Sequence, residues 1–291
     1  MSNLPHFDYI KPCSLKEACM IMSEKGELAK PFAGGTDLIV QMRAGKVKPE
    51  LLVDIKELGL DKIQHLSNGK ISIGALCTIN SVIEDDLIRT KFPFIVEAAE
   101  EMASMQIRNR GTIGGNICNA APSADLAQPL LAVGGIAKVE GVKGSREIDL
   151  SKFFVGPGKT ALSTDEILTE IIIDELPKHS GTAYVRLKRN AMDLALVGIA
   201  ASVTLDEDGI CLSAKIVLGA VGPTPIIAEE AAAALIGTKL DKQSIEKAAS
   251  LAEDLSKPID DIRSKAWYRR KSVGTLTIKA LESAHKRAQD N

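Results

Sequence analysis

Two glycine pairs are the first residues in this sequence whose type and spacing suggest chemistry. Gly34-Gly35 sits in FAGGTDL (residues 32–38), and Gly114-Gly115 sits in TIGGNICNAAPSAD (residues 112–125). Glycine tolerates positive φ, and without a Cβ it lets backbone N–H groups approach a ligand closely. Consecutive N–H groups in such a turn make an anion-binding nest. One phosphate needs one nest, and a diphosphate is well served by two. Thr36 and Asn116, each directly after its pair, add a hydroxyl and an amide. Asp125 adds a carboxylate, a good acceptor from sugar-like hydroxyls. A third pair, Gly134-Gly135, is a reminder that such pairs also make plain turns.

Other phosphate and hydrolytic signatures fail. There is no G-x-G-x-x-G after a first strand. GPGKT (156–160) looks like the end of a P-loop, but Phe153 stands where that loop requires its first glycine. No G-x-S-x-G elbow and no H-E-x-x-H occur. Cys13, Cys19, Cys77, Cys118 and Cys211 are scattered without a C-x-x-C, so a zinc ribbon or a cluster held by this chain alone is not expected. Cys118, inside the second glycine stretch, reads as a small side chain packed behind the turn.

These turns need elements to position them. Ser14 and Glu17 form a capping box ahead of a helix over 14–25. AKPFAGG reads as a short strand, Ala29-Lys30-Pro31-Phe32, entering the first glycine turn. Leu51–Ile55 and GKISIGAL read as further strands. Residues 78–104 read as helix interrupted near Pro93. The second glycine stretch reads as a turn, followed by a short helix, a strand and the isoleucine-rich strand of TDEILTEIIIDEL. Charge, proline and glycine gather at 174–181, a plausible boundary. Beyond it come three strands, with DEDG as a hairpin turn, a helix in IIAEEAAAALIG (226–237), a helix in DKQSIEKAASLAEDLS and a last amphipathic helix. The predicted class is α+β.

The chain has 291 residues, long enough for two domains, with 45% hydrophobic and 25% charged residues. A net charge of −2 and only 3% aromatics argue against a nucleic-acid partner. No stretch is long and apolar enough for a membrane span, and the N-terminus carries no signal-peptide pattern, so a cytoplasmic address is expected.

FAGGTDL together with QIRNRGTIGGNICNAAPSADLAQPLLA resembles the FAD-binding medium subunit of the molybdenum hydroxylase family, that of xanthine dehydrogenase and carbon monoxide dehydrogenase. The likeness continues through FFVGPGKTALSTDEILTEIII, YVRLKRNAMDLALVGIAASV and SKAWYRRKSVGTLTIKAL, so it covers nearly the whole chain. The resemblance implies a vanillyl-alcohol-oxidase-like (PCMH-type) FAD-binding domain at 1–176, with subdomains of about 1–56 and 57–176. A small C-terminal α+β domain of three antiparallel strands with helices would follow at 177–291. It implies that Ala33-Gly34-Gly35-Thr36-Asp37 and Thr112-Ile113-Gly114-Gly115-Asn116 contact the FAD pyrophosphate and that Ala29 to Phe32 flank the adenosine. Asp125 would hold ribityl or sugar hydroxyls, and the Leu168 backbone would touch the cofactor. A basic residue near the flavin would be Arg186 or Lys188. No cysteine-bearing insertion for an extra iron–sulfur cluster is present. No side chain need act as an acid or base. The implied function is electron transfer, from an iron–sulfur small subunit to NAD or another acceptor. A molybdopterin large subunit would complete a dimer of heterotrimers, with molybdopterin and [2Fe-2S] on the partners. The alternative is a stand-alone flavin-dependent oxidase of the same fold.

Overall fold

The computed structural model describes residues 4–291. The first sheet holds β1 (Asp8–Ile10), β2 (Ala29–Phe32) and β3 (Leu51–Asp54) in the order β1-β3-β2, with both pairings parallel. Parallel neighbours cannot be joined by a tight turn. Helix α1 (Leu15–Lys25) makes the first crossover and α2 (Leu38–Arg43) lies in the second. Ser14 Oγ accepts from the Glu17 N–H at 3.2 Å, as the capping box predicts. The Glu17 carboxylate reaches one residue further back than expected, to the Cys13 N–H at 2.6 Å. The buried side of α1, Ala18, Cys19 and Met22, packs with Ala29, Val53 and Ile55.

The second sheet is antiparallel and holds β4 (Ile63–His65), β5 (Lys70–Gly74), β6 (Ile136–Gly141), β7 (Gly144–Asp149) and β10 (Ile167–Asp174). Its order is β4-β5-β10-β6-β7. β8 (Phe154–Gly156) and β9 (Lys159–Thr160) form a separate ribbon. The isoleucine run belongs to the central strand, buried on both faces, so it shows no polar alternation. Helices α3 (Ile79–Glu84), α4 (Asp86–Lys91) and α5 (Pro93–Glu100) pack together beside it. The expected single interruption is two. Asp85 caps α4 by accepting from the Ile88 N–H at 3.0 Å, and Pro93 opens α5. Short helices α6 (Met105–Arg108), α7 (Ile113–Asn119), α8 (Ala127–Ala132) and α9 (Leu150–Phe153) complete this part.

The third sheet is β11 (Ser180–Leu187), β12 (Val197–Leu205), β13 (Cys211–Gly219) and β14 (Ile226–Ile227), antiparallel in that order. The three expected strands therefore gain a fourth. Ile226 and Ile227 were expected to be helical, but the chain bends through residues 221–224 and then runs extended at both. Two β-branched residues then pair with Leu218 and Val217. Helix α10 (Glu229–Ala233) is correspondingly short. Helices α11 (Lys242–Leu255) and α12 (Ala266–Asp290) pack on the sheet through Ala248, Ala252, Val273, Leu281 and Ala284. The last helix begins at Ala266, earlier than its apolar periodicity alone suggests.

Candidate functional site

At the end of β2 the chain leaves the sheet, turns through Ala33 to Asp37 and enters α2. β2 is an edge strand, which tolerates Pro31 and its missing N–H. Ala29 is buried, Lys30 lies 3.7 Å from Glu27, and the Phe32 ring sits under the Lys56 ammonium at 4.3 Å. Gly35 has φ +73, and a Cβ there would lie 2.6 Å from the Phe32 ring. Among the described residues, none accepts a hydrogen bond from the N–H groups of Gly34, Gly35, Thr36 or Asp37. This turn is a nest with its amides open. Asp37 at the helix start makes no capping bond, and surrounding protein raises its carboxyl although the side chain keeps solvent contact.

The second glycine stretch is not the expected turn. It is helix α7, with Thr112 as its N-cap. The Gly115 N–H donates to Thr112 Oγ1 at 3.0 Å, and the Asn116 N–H to the Thr112 carbonyl at 3.0 Å. Ile113 donates to the Cys77 carbonyl at 2.9 Å and Gly114 to the Ala75 carbonyl at 2.8 Å. Four amides are thus already satisfied, and the idea of a second open nest is corrected. Gly114 is required for close packing, since a Cβ would meet the Ala75 oxygen at 2.6 Å. Gly115 is exposed, and a Cβ there would meet only Thr112 Oγ1. Asn116 supplies what the amides do not, because its Oδ1 is buried with no hydrogen-bond partner.

The two stretches touch. A Cβ on Gly34 would lie 1.9 Å from the Arg110 carbonyl oxygen, so only glycine lets the first turn press on the backbone leading into α7. The Ile79 N–H holds the next carbonyl, that of Gly111, at 2.9 Å. Gln41 of α2 donates to Asn119 of α7 at 2.9 Å, joining the helices that follow each pair. Ala75 ties this junction to the central strand, donating to the Thr169 carbonyl at 2.8 Å while accepting from Gly114. Leu168 is the neighbour of Thr169, buried and beside a bulge in the pairing of β10 with β6. The third pair is a plain turn: Gly134 and Gly135 donate back to Leu131 and Leu130 at the end of α8.

Asp125 lies in a buried polar cluster. Tyr184 Oη donates to its Oδ1 at 2.8 Å, and Arg186 Nη1 stands 3.4 Å from its Oδ2. Burial raises the Asp125 carboxyl, with Arg186 and Tyr184 opposing, and burial beside Asp125 pushes the Tyr184 phenol well up. Arg186 also donates to the carbonyls of Glu101 and Asp193, while Lys188 reaches the Glu101 carboxylate. Arg186 is therefore the inner cation, with its side chain buried, and Lys188 the outer one. Sequence reasoning missed Tyr184 as the partner of Asp125, though it stands two residues before Arg186 in the same strand. It also missed Tyr9, whose hydroxyl donates to Asp54 and whose ring meets Phe32 edge-on at 6.4 Å. Cys118 lies within α7, partly buried, and burial pushes its thiol up to about 12.

Residues 5–176 match the model of the FAD binding domain in molybdopterin dehydrogenase, and residues 182–284 match that of the CO dehydrogenase flavoprotein C-terminal domain. The chain belongs to the FAD-binding medium subunits of the molybdenum hydroxylases. It is 37% identical over 285 residues to the carbon monoxide dehydrogenase medium chain of Afipia carboxidovorans, covering 98% of each chain. It is 32% identical over 280 residues to the xanthine dehydrogenase FAD-binding subunit of Escherichia coli O157:H7, covering 95% of each. The solved structure of the Cu,Mo-CO dehydrogenase in its cyanide-inactivated form contains a chain that superposes with TM-score 0.94 at 37% identity. That match covers 98% of this chain and 100% of the other. The medium subunit is thus part of an oxidoreductase, and its residues fit FAD. The open amides of Gly34 to Asp37 suit an anion, and the orphaned Asn116 oxygen suits a hydroxyl donor. Among the described residues no helix is long and apolar enough to cross a membrane, and no cluster of ligating side chains could hold a metal ion.

Proposed function

We propose that this medium subunit holds FAD in the cleft between the two glycine stretches and relays electrons. They come from an iron–sulfur small subunit and go to NAD or another acceptor. When bound, FAD supplies the redox chemistry, collecting electrons and passing them on as a pair. The chain supplies position. Gly34 to Asp37 would bind pyrophosphate through N–H groups, with Thr36 adding its hydroxyl. Thr112 to Asn116 would form the facing wall, with the Asn116 amide as the directed group. Ala29 to Phe32 would flank the adenosine, and Leu168 would line the floor with its backbone. Asp125 would accept from ribityl hydroxyls with the lone pairs that Tyr184 and Arg186 leave over. Lys188, at the outer end, would stand nearest the flavin edge.

The observation that carries this reading is the row of unaccepted amides at Gly34 to Asp37, pressed by Gly34 against the start of the second stretch. We further propose an FAD-binding domain at 1–176, with subdomains of about 1–56 and 57–176, and a C-terminal domain at 177–291. The partners would be an iron–sulfur and a molybdopterin subunit in a cytoplasmic dimer of heterotrimers. The test is to purify the assembled complex, denature it and quantify released flavin by chromatography. One FAD per medium subunit is expected, and its absence would sink the proposal. Reduction of the complex with its substrate, followed by mixing with NAD or an artificial dye, identifies the acceptor.

A further inference from the structure

A side-chain pair joins the two walls of the proposed cofactor cleft. Gln41 Nε2 donates to Asn119 Oδ1 at 2.9 Å, across 78 residues of sequence. Each partner lies one helical turn from groups already assigned to the cofactor. The Gln41 N–H donates to the Asp37 carbonyl at 2.9 Å, which puts Asp37 and Gln41 on one side of α2. Asn116 and Asn119, three residues apart, share one side of α7. The bond therefore crosses between the walls one turn beyond the open amides of Gly34 to Asp37, and one turn beyond the orphaned Asn116 oxygen. At the other end the walls meet through the backbone. A Cβ on Gly34 would lie 1.9 Å from the Arg110 carbonyl oxygen, and one on Gly111 would lie 3.4 Å from Thr36 Oγ1.

The two helices are not held equally. Asn119 is the last residue of α7, and Ala120 after it ends the helix at φ +46. The Ala120 carbonyl accepts from the Gly158 N–H at 2.9 Å, which ties the end of α7 to the turn of the β8–β9 ribbon. Helix α2 has six residues, of which Met42 is buried. It runs into exposed residues 43–46, where Gly45 has φ +68. A short helix with so little buried surface opens locally at low cost. Gln41, beside Met42, links that lightly held helix to the fixed one.

We infer that Gln41 and Asn119 form a clasp that holds α2 against α7 and sets how fast FAD enters and leaves the cleft. Both are positioning residues, acting through the walls that they join. A bond between two walls opposes their parting in both directions. It slows escape and entry alike, and it alters affinity less than it alters the two rates. The inference rests on the FAD reading above.

The test uses the assembled complex. Release is read as the rise of free-flavin fluorescence on dilution, and entry as its quenching when FAD is added to flavin-stripped complex. Gln41→Ala and Asn119→Ala are each expected to speed both processes by about two- to ten-fold, the range of one hydrogen bond. The double variant should match the singles, because one bond is lost in all three. The exchange variant, Gln41→Asn with Asn119→Gln, keeps the summed side-chain length and should return both rates toward wild type. Gln41→Leu, closer in size, replaces Gln41→Ala if that variant fails to assemble. Unchanged release in both single variants overturns the proposal. So do effects that multiply in the double variant, and so does faster release with slower entry, the signature of a damaged wall. Wild-type complex that assembles without flavin would defeat the FAD reading itself, and the clasp with it. Wild-type complex that holds flavin, with variants that release it at the wild-type rate, would defeat the clasp alone.

Discussion

Tyr184 Oη donates a 2.8 Å hydrogen bond to Asp125 Oδ1, so a strand of the C-terminal sheet reaches into the segment that follows the second glycine stretch. Removing the hydroxyl in Tyr184→Phe leaves a buried acceptor short of one donor. The expected cost is about 1–3 kcal/mol, measured as a lower unfolding midpoint, with the flavin spectrum shifted because Asp125 and Arg186 relax.

The glycines of the two stretches should not be equivalent. Gly34→Ala drives a Cβ into the Arg110 carbonyl and separates the two walls. A loss of about 1–3 kcal/mol is expected, together with loss of FAD. Gly115→Ala meets only the Thr112 hydroxyl, and the weakened cap on α7 is offset by the better helix propensity of alanine. It should lower flavin content while the apo chain unfolds at nearly the wild-type temperature. Equal unfolding midpoints for the two apo variants would refute this distinction.

Thr112 caps α7 through the Gly115 N–H. Thr112→Val removes the acceptor and should cost about 1 kcal/mol, and Thr112→Ser should restore most of it. Chemical denaturation of all three proteins checks the order.

Asp261 gives the acid limb of the stability profile. Burial would raise its carboxyl, but the Arg263 side chain and the N–H groups of Arg263 and Ser264 outweigh burial and hold it at about 2, below the ordinary 3.8. A depressed carboxyl contributes stability that is present above the ordinary value and lost as pH falls through the folded one. Asp261→Asn should therefore flatten the fall in stability between pH 3.8 and about 2. A variant profile parallel to the wild type would show that other carboxylates govern that window.

The cysteines should differ in reactivity. Cys118 is pushed up to about 12, and Cys19, Cys77 and Cys211 to about 11, all by burial first. Cys13 is exposed. Alkylation of the native protein at mildly basic pH, read by mass spectrometry, should label Cys13 alone.

Much of the frame was legible because its signals are local. Ser14 with Glu17 marks a helix start, the isoleucine run marks a strand, and DEDG marks a hairpin. The glycine pairs were legible by type, since few plain cores need two of them followed by polar side chains. What the second pair does was not legible. Its amides are spent on Ala75, Cys77 and Thr112, and the first two stand on a distant segment that only the folded chain brings near. Helix α7 was hidden for the same reason, because glycine's low propensity is overridden by Thr112 capping and by packing on Ala75. Asp125 could be singled out as a carboxylate, but its buried partners Tyr184 and Arg186 come from another sheet. Ile226 and Ile227 misled because a short edge strand and a helix start look alike over so few residues.

The unequal state of the two glycine stretches has a consequence for the cofactor-free chain. Amides 113–116 are locked by the protein itself, whereas amides 34–37 have only water to bind. In hydrogen–deuterium exchange amides 113–116 should stay slow with or without flavin, and amides 34–37 should exchange rapidly until flavin arrives. One wall is thus a finished template, and the other takes its final rigidity from what it holds.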